Sequence, residues 1–326
     1  MTLEEAAERL RINQKVIIAS HDGPDADGLG ASYALAIGLR SIGKQALAVL
    51  NGPMPAKFRF IDRNGLFISL AAGSDLPLEP AEACFVLLDT QDFGYLGNRV
   101  DELRVLCRET IVIDHHEVAK TARPECFVDS NASSTCELAY TIMERLGIQL
   151  PEDAAEALFA GIVYDTGSFA YRKTTASTFA CAHSLVLRGV QPAVVHNRMY
   201  ESSSIGVLLL QKMVFSSLEL LAENRIAVQT LKRNDLASSG AAYEDAEDLV
   251  NIPLQGRTIE VSILFKENLE GKLRCSLRSK GRVNVAHLAQ QFGGGGHKTA
   301  AGFTCDRPLE RIKADVLKNI VDSLEA

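Results

Sequence analysis

The sequence predicts an α/β protein: a doubly wound, mostly parallel sheet domain followed by a smaller α/β domain across an interdomain cleft. Three observations carry this. Short apolar, β-branched runs alternate with helical patterns through the first half of the chain. Their length suits buried parallel strands, which are apolar on both faces. A helical stretch around residues 189–211 interrupts the alternation, and strand patterns then resume.

Residues 15–20 (KVIIAS), 46–50, 84–90 (CFVLLDT) and 110–114 (TIVID) are the expected strands of the first domain. Helical patterns fall at 30–39 and 134–146. The second opens on Ser133 and Ser134, with Glu137 three residues after Ser134, the spacing of a capping box. Pro151, followed by Glu152 and Asp153, opens another helix. A βαβ succession of this kind winds into a doubly wound sheet. In the second half, residues 225–231, 258–265 and 273–279 are expected strands, with 268–271 as the hairpin turn between the last two. Residues 309–324 form a closing amphipathic helix. The expected division is 1–190 for a metal-binding catalytic domain, 191–215 for a helical connector and 216–326 for a substrate-binding domain.

Composition narrows the function classes. With 326 residues and 47% hydrophobic content, the chain can bury full cores. It opens MTLEEAAERLR, a polar helix start rather than a signal peptide, and no segment has the length and apolarity of a membrane span. Seven cysteines without a CxxC pair argue against a disulfide framework or a structural zinc site and suit a cytoplasmic setting. A net charge of −7 disfavours a long electropositive track for duplex DNA, while leaving room for a local phosphate site.

The chemistry concentrates just after the expected strands, the edge at which open α/β sheets bind ligands. His21, Asp25 and Asp27 fall in one glycine- and proline-shaped loop after the first strand. Asp89 ends the LLDT run, Asp114, His115 and His116 follow the TIVI run, and Asp165 ends an apolar helix in GIVYDTGSF. One such carboxylate is usually a turn or helix cap. Asp25, Asp27, Asp89 and Asp165 together would repel one another unless two divalent cations balanced their four charges. Oxygen and imidazole donors suit Mn²⁺ and tolerate Mg²⁺, Co²⁺ or Zn²⁺. His115 and His116, being neighbours on extended chain, should point to opposite sides, so that one faces the metals and the other meets substrate or supports the ligands.

A second motif, Phe292 followed by Gly293, Gly294, Gly295, Gly296, His297 and Lys298, lets backbone N–H groups approach an anion. No GK[ST] follows, so it is not a Walker loop. Residues 271–300 carry six Lys or Arg and no Asp or Glu, a local excess that points to an anionic ligand.

Taken together, these motifs resemble the DHH phosphoesterase superfamily. The triplet stands as Asp114-His115-His116, the first motif as His21 with Asp25 and Asp27, the second as Asp89-Thr90, and the fourth as Asp165 to Phe169. The GGGH segment followed by Ala300, Ala301 and Gly302 resembles the C-terminal DHH-associated domain. Length and organisation are similar to the RecJ-like nanoRNases, many of which also dephosphorylate 3′-phosphoadenosine 5′-phosphate (pAp). The resemblance implies two metal ions, one held by His21, Asp25 and Asp89, the other by Asp27, Asp89, His115 and Asp165. It gives catalytic roles to Asp89, His115 and His116, with His116 on the scissile phosphate. It implies that Arg278, Ser279, Gly295, Gly296 and His297 bind the distal part of a short RNA, DNA or small nucleotide. Oligomeric state stays open, a homodimer included. The rivals are a soluble cyclic- or linear-dinucleotide phosphodiesterase and a non-enzymatic nucleotide-binding regulator.

Other residues near these motifs have plainer expectations. Asp92, Glu117 and Asp129 are turn or surface residues, His183 and His196 structural residues on helices, and His287 a shaper of its own helix. Phe292 and Tyr171 could stack a base but are expected in the core.

Overall fold

A computed structural model describes residues 1–71, 76–117, 123–268 and 271–325. They form two compact units, Met1–Ser202 and Ser203–Ala326.

The first unit begins with α1 (Leu3–Ile12), closed by a Thr2–Glu5 capping box. Its sheet contains β1 (Lys15–Ala19), β2 (Gln45–Leu50), β3 (Phe67–Ser69), β4 (Cys84–Leu88), β5 (Glu109–Asp114) and β6 (Cys126–Val128), in the order β3-β2-β1-β4-β5-β6 and parallel throughout. Alternate strand residues face two separate cores. Val16, Ile18, Val86, Leu88, Ile111 and Ile113 face one; Ile17, Ala19, Phe85, Leu87 and Val112 face the other. The first core is closed by α1, α2 (Ala26–Ser41) and a helical group, and the second by α3 (Asn98–Leu106). That group is α4 (Thr135–Arg145), α5 (Glu152–Asp165), α6 (Ala176–Leu187) and α7 (Pro192–Tyr200). The expected doubly wound domain is therefore observed.

Close backbone packing of α2 on α5 and α4 shapes the functional end. A Cβ at Gly30 would lie 2.4 Å from the Ala157 carbonyl oxygen, and one at Gly161 would lie 2.3 Å from Cys136 Sγ and 2.9 Å from Asp27 Cα. Only glycine fits at either position, so α2 sinks into the helical layer and is buried almost all round.

The second unit starts with α8 (Ile205–Ser216). Its sheet contains β7 (Glu219–Leu221), β8 (Ile226–Leu231), β9 (Val261–Glu267), β10 (Leu273–Ser279), β11 (Gly295–His297) and β12 (Ala300–Cys305), in the order β11-β12-β10-β9-β8-β7. Only β8 and β9 pair in parallel. One face packs on α10 (Val285–Gln291) and α11 (Leu309–Glu325), the other on α8, α9 (Arg233–Ser239) and a 3-10 segment, Tyr243–Gln255.

Two expectations need correction. The strand expected from residue 258 begins at Val261, because a turn in which Ile259 N–H donates to Gly256 O (3.2 Å) occupies the preceding residues. The expected glycine loop is a hairpin edge, with Gly295–His297 pairing with β12 as strand β11. Gly293, with φ +78°, closes α10, and a Cβ at Gly294 would lie 2.2 Å from Gly302 O. In the hairpin expected at 268–271, Gly271 N–H donates to Asn268 O (3.0 Å); Leu269 and Glu270 lie outside the described residues. No helix among the described residues is long and apolar enough to cross a membrane.

Candidate metal centre

The order of the parallel sheet turns between β1 and β4, since β1 to β3 run outward one way and β4 to β6 the other. Splayed crossovers leave a crevice at the carboxyl ends of such neighbouring strands. His21 follows β1, Asp89 follows β4, and Asp114, His115 and His116 close β5. Asp25 caps α2, its Oδ1 accepting from Asp27 N–H (2.9 Å) and Gly28 N–H (3.2 Å). Asp165 is the last residue of α5.

These elements bring together three overlapping groups of donors. His21, Asp25 and Asp89 each offer an atom within 4.8 Å of the others, as do Asp89, His115 and His116, and Asp27, His115 and Asp165. His21 Nε2 is 3.6 Å from Asp89 Oδ2, while His115 Nε2 is 3.6 Å from the other oxygen, Oδ1. His115 Nε2 is also 3.0 Å from Asp165 Oδ2 and 3.8 Å from Asp27 Oδ2. Asp89 reaches this position in a left-handed conformation, φ +64°. That is uncommon for a non-glycine residue and is kept only where surrounding structure enforces it.

Electrostatics show a site short of positive charge. Asp27, Asp89 and His115 are buried. Burial, then the charge of Asp165, lifts the Asp27 carboxyl to about 7. Burial first, then neighbouring carboxylates, raises Asp25 and drives Asp89 well above the usual range. Burial would lower the His115 imidazole, but Asp165 and Asp27 outweigh it and raise it. Neither ring nitrogen of His115 makes a well-formed hydrogen bond. An imidazole packed against three carboxylates without such a bond fits a cation between them, and the oxygen–nitrogen donor set fits a divalent one.

Support comes from residues that the motifs did not flag. Thr135 N–H and Cys136 N–H, opening α4, donate to Asp27 Oδ2 (2.7 Å) and Oδ1 (2.8 Å), and Thr135 Oγ1 donates to Asp89 Oδ1 (3.1 Å). A helix N-terminus thus holds a fully buried acid. The Ser134 cap was legible as a helix start, but nothing local marked what that start faces. Lys173 Nζ donates to His115 O (2.9 Å).

Contrary to the expectation that they point to opposite sides, the two histidine rings lie 4.5 Å apart and both bring a nitrogen near Asp89, but they differ in burial. His115 is buried among the carboxylates, whereas the His116 side chain is 59% exposed and its Nδ1 lies 2.7 Å from Asp114 Oδ1. Asp114 also accepts from Gln91 Nε2 (3.0 Å). Burial would raise its carboxyl, but the bonds from His116 prevail and lower it. Nδ1 being tied to Asp114, Nε2 is the nitrogen left for a ligand.

In the second unit, Arg278 and His297 both register with Ala300 and so share one face of the sheet. Arg278 Nε donates to Asn251 Oδ1 (3.1 Å). Ser279 lies on the opposite face, buried, with Oγ accepting from Gly281 N–H (2.9 Å). Gly295 and Gly296 are exposed beside His297.

Asp92 and Asp129 are turn residues, accepting from Gly94 N–H (2.9 Å) and Asn131 N–H (3.0 Å). Glu117 is at the surface, and His183, His196 and His287 are exposed on their helices. Phe292 packs on Phe303 in the second core. Tyr171, expected in the core, is 63% exposed. The chain turns back after α5 instead of continuing the helix, and carries that ring outward.

Residues 15–162 match the DHH family, N-terminal domain, and residues 223–326 match the DHHA1 domain. The chain carries a DHH domain followed by a DHHA1 domain. It is 28% identical over 306 residues to the bifunctional oligoribonuclease and PAP phosphatase NrnA of Thermus thermophilus, covering 91% of this chain and 87% of the relative. An exopolyphosphatase-related protein from Bacteroides fragilis shares the fold with a TM-score of 0.87 at 22% identity, over 99% of this chain and 95% of that one. The exonuclease RecJ bound to manganese aligns with a TM-score of 0.56 at 18% identity, over 97% and 93% of the two chains. The DHH match thus contains the first three motifs and stops at Ile162, three residues short of Asp165, and the DHHA1 match contains Arg278 and the GGGH hairpin.

Proposed function

We propose that this protein is a cytoplasmic two-metal phosphoesterase, most active with Mn²⁺, that hydrolyses short oligoribonucleotides and pAp. The observation that carries the reading is the overlap of three donor groups: His21, Asp25 and Asp89; Asp89, His115 and His116; and Asp27, His115 and Asp165. The name of the Thermus relative supports the substrate class.

Divalent ions bound there supply a water acidic enough to ionise near neutral pH and neutralise charge on the phosphate oxygens. The protein's own residues prepare that event. Asp89 offers one oxygen toward His21 and the other toward His115. Thr135 and Cys136 fix Asp27 in one orientation. His116, steadied by Asp114, presents Nε2 to the scissile phosphate. No covalent intermediate is required. Arg278 and His297, with the N–H groups of Gly295 and Gly296, bind a second phosphate or nucleotide, and Ser279 shapes the end of β10.

The test is a Mn²⁺-dependent panel of pAp, cyclic dinucleotides, bis-p-nitrophenyl phosphate, and RNA and DNA from dinucleotides upward. Dinucleotides and pAp should turn over fastest, with rates falling as the chain lengthens, because an acidic protein grips a short substrate rather than a long one. Hydrolysis of long RNA as fast as a dinucleotide at matched salt would overturn the short-substrate claim. Preference for cyclic dinucleotides would move the assignment to that class, and no turnover of anything would leave a regulator. Arg278→Ala and His297→Ala should each raise KM for the dinucleotide roughly tenfold, the scale of a hydrogen bond to a charged group. Use of bis-p-nitrophenyl phosphate should hardly change.

A further inference from the structure

We infer that Tyr171 is a stacking platform for the nucleobase attached to the phosphate held at the metal centre, and so a specificity-determining residue. The inference deepens the proposed function and rests on it.

Four observations place Tyr171 there. First, the ring is a large apolar surface left in solvent, 63% exposed, and its hydroxyl makes no hydrogen bond among the described residues. Second, the ring is seated. Tyr171 N–H donates to Thr166 O (2.9 Å), and a Cβ added to Gly167 would lie 2.4 Å from the ring carbon Cζ. The ring therefore rests against bare backbone, and Gly167, with φ +54°, is what admits it. Third, Gly167 is two residues from Asp165, so their Cα atoms are at most about 7.6 Å apart by chain geometry. Fourth, the segment is anchored to the centre at both ends. Asp165 Oδ2 is 3.0 Å from His115 Nε2, and Lys173 Nζ donates to His115 O (2.9 Å).

The surrounding backbone fits a fixed platform rather than a loose loop. Gly167, Ser168 and Phe169 are successively left-handed, Phe169 N–H donates to Thr166 Oγ1 (2.9 Å), and the Phe169 ring stacks on Phe179 at 5.3 Å. A chain that strains two consecutive non-glycine residues, Ser168 and Phe169, to hold an exposed aromatic beside a phosphate-binding centre suits a ligand with a flat apolar face. Every nucleobase has one, and stacking on an aromatic side chain contributes about 1–3 kcal/mol per base without regard to sequence.

The decisive comparison uses a dinucleotide and its counterpart lacking the base next to the scissile phosphate. The wild type should prefer the complete dinucleotide in kcat/KM by roughly 5- to 150-fold, the range that base stacking spans. Tyr171→Ala should lose that preference, and Tyr171→Phe and Tyr171→Trp should keep it. Calorimetric affinity for a dinucleotide with a methylphosphonate linkage should weaken in Tyr171→Ala by a similar factor, while Mn²⁺ affinity stays at the wild-type value. A Tyr171→Ala protein that retains the preference overturns the inference, as does one that loses both substrates equally together with Mn²⁺ affinity, which marks a purely structural ring. If the wild type hydrolyses neither compound with Mn²⁺ present, it is the proposed function that fails, and the methylphosphonate titration still tests Tyr171.

Discussion

The two domains both bury charge, and they treat it in opposite ways. In the DHH domain, Asp27 and Asp89 are buried beside Asp25 and Asp165, and the ion pairs they make are with histidines. In the DHHA1 domain, Lys266 is wholly buried, but its ammonium lies 4.3 Å above the Tyr243 ring and 3.8 Å from Glu247 Oε1. Arg278, four register positions away on β10, is tied to Asn251. The buried ammonium faces one aromatic ring and one carboxylate, although its Nζ makes no hydrogen bond, whereas among the described residues the acidic cluster sets four carboxylates against histidines alone as cationic partners. Buried charge that the protein compensates itself reads as architecture, and buried charge of one sign left uncompensated marks where a ligand of the other sign belongs.

The largest effect should come from removing Asp89, which two of the three donor groups share. Asp89→Asn should lower dinucleotide turnover in saturating Mn²⁺ by at least about 10²–10³-fold, the scale set by losing one preorganised electrostatic group. The same substitution removes a buried charge and should raise the melting temperature in EDTA. Near-wild-type kcat would end the assignment of Asp89, and an EDTA melting temperature below that of wild type would end the claim that its charge is uncompensated.

Next in size is the support of His116. Asp114→Asn keeps shape but weakens the bond that fixes the His116 ring, and should lower kcat by about 10–100-fold, as outer partners of catalytic histidines do. Mn²⁺ affinity should change much less, since Asp114 itself belongs to none of the three donor groups. Equal losses in both quantities would merge His116 with the metal ligands.

Which parts of this arrangement the sequence revealed follows from how local each cause is. β1, β4 and β5 were legible because buried parallel strands must be apolar on both faces, and His21, Asp89 and His115 were legible because they follow those strands. Asp114 was visible in the triplet, but its service to His116 is a side-chain geometry that no spacing encodes. Thr135 and Cys136 were missed because their contact with Asp27 spans more than a hundred residues. β11 was missed because Gly-Gly-His opposes strand propensity, and only the pairing with β12 overrides it. Tyr171 was misjudged because apolar content alone says nothing of which way a turn carries a ring.

A smaller effect, but one with a definite sign, is the pH dependence of stability. The Asp27 carboxyl stands at about 7 in the fold, against 3.8 ordinarily. A group raised by folding contributes its full stability below the unfolded value and loses it as pH rises through the folded one. Asp25, Asp89 and His115 are shifted upward too and act in the same sense. In EDTA the DHH domain should therefore melt lower at pH 8 than at pH 5.5. Mn²⁺ at a hundred times its Kd should recover about 2.7 kcal/mol, roughly 5–10 °C, with more of the gain at pH 8. Identical melting curves with EDTA and Mn²⁺ at pH 8 would reverse the contrast between the domains.

The smallest effect should come from the compensated cluster, and its smallness is the prediction. Lys266→Met keeps the length and apolar body of the side chain and removes the ammonium. Burial has already pushed that ammonium down from its usual value, so its charge is held at a cost. Glu247, whose side chain is 57% exposed, can return to water when its partner goes. What is lost is the contact with Tyr243, worth about 0.5–2 kcal/mol, and what is gained is relief from desolvating a cation. The two nearly cancel, so chemical denaturation should show a change within about 1 kcal/mol in either direction. The gain in melting temperature with Mn²⁺ should match wild type, because Lys266 is in the second unit and the proposed metal donors are in the first. A loss above about 3 kcal/mol would mean that Lys266 neutralises a buried acid rather than carrying a charge the fold merely tolerates. A changed Mn²⁺ response would mean that the two clusters are coupled.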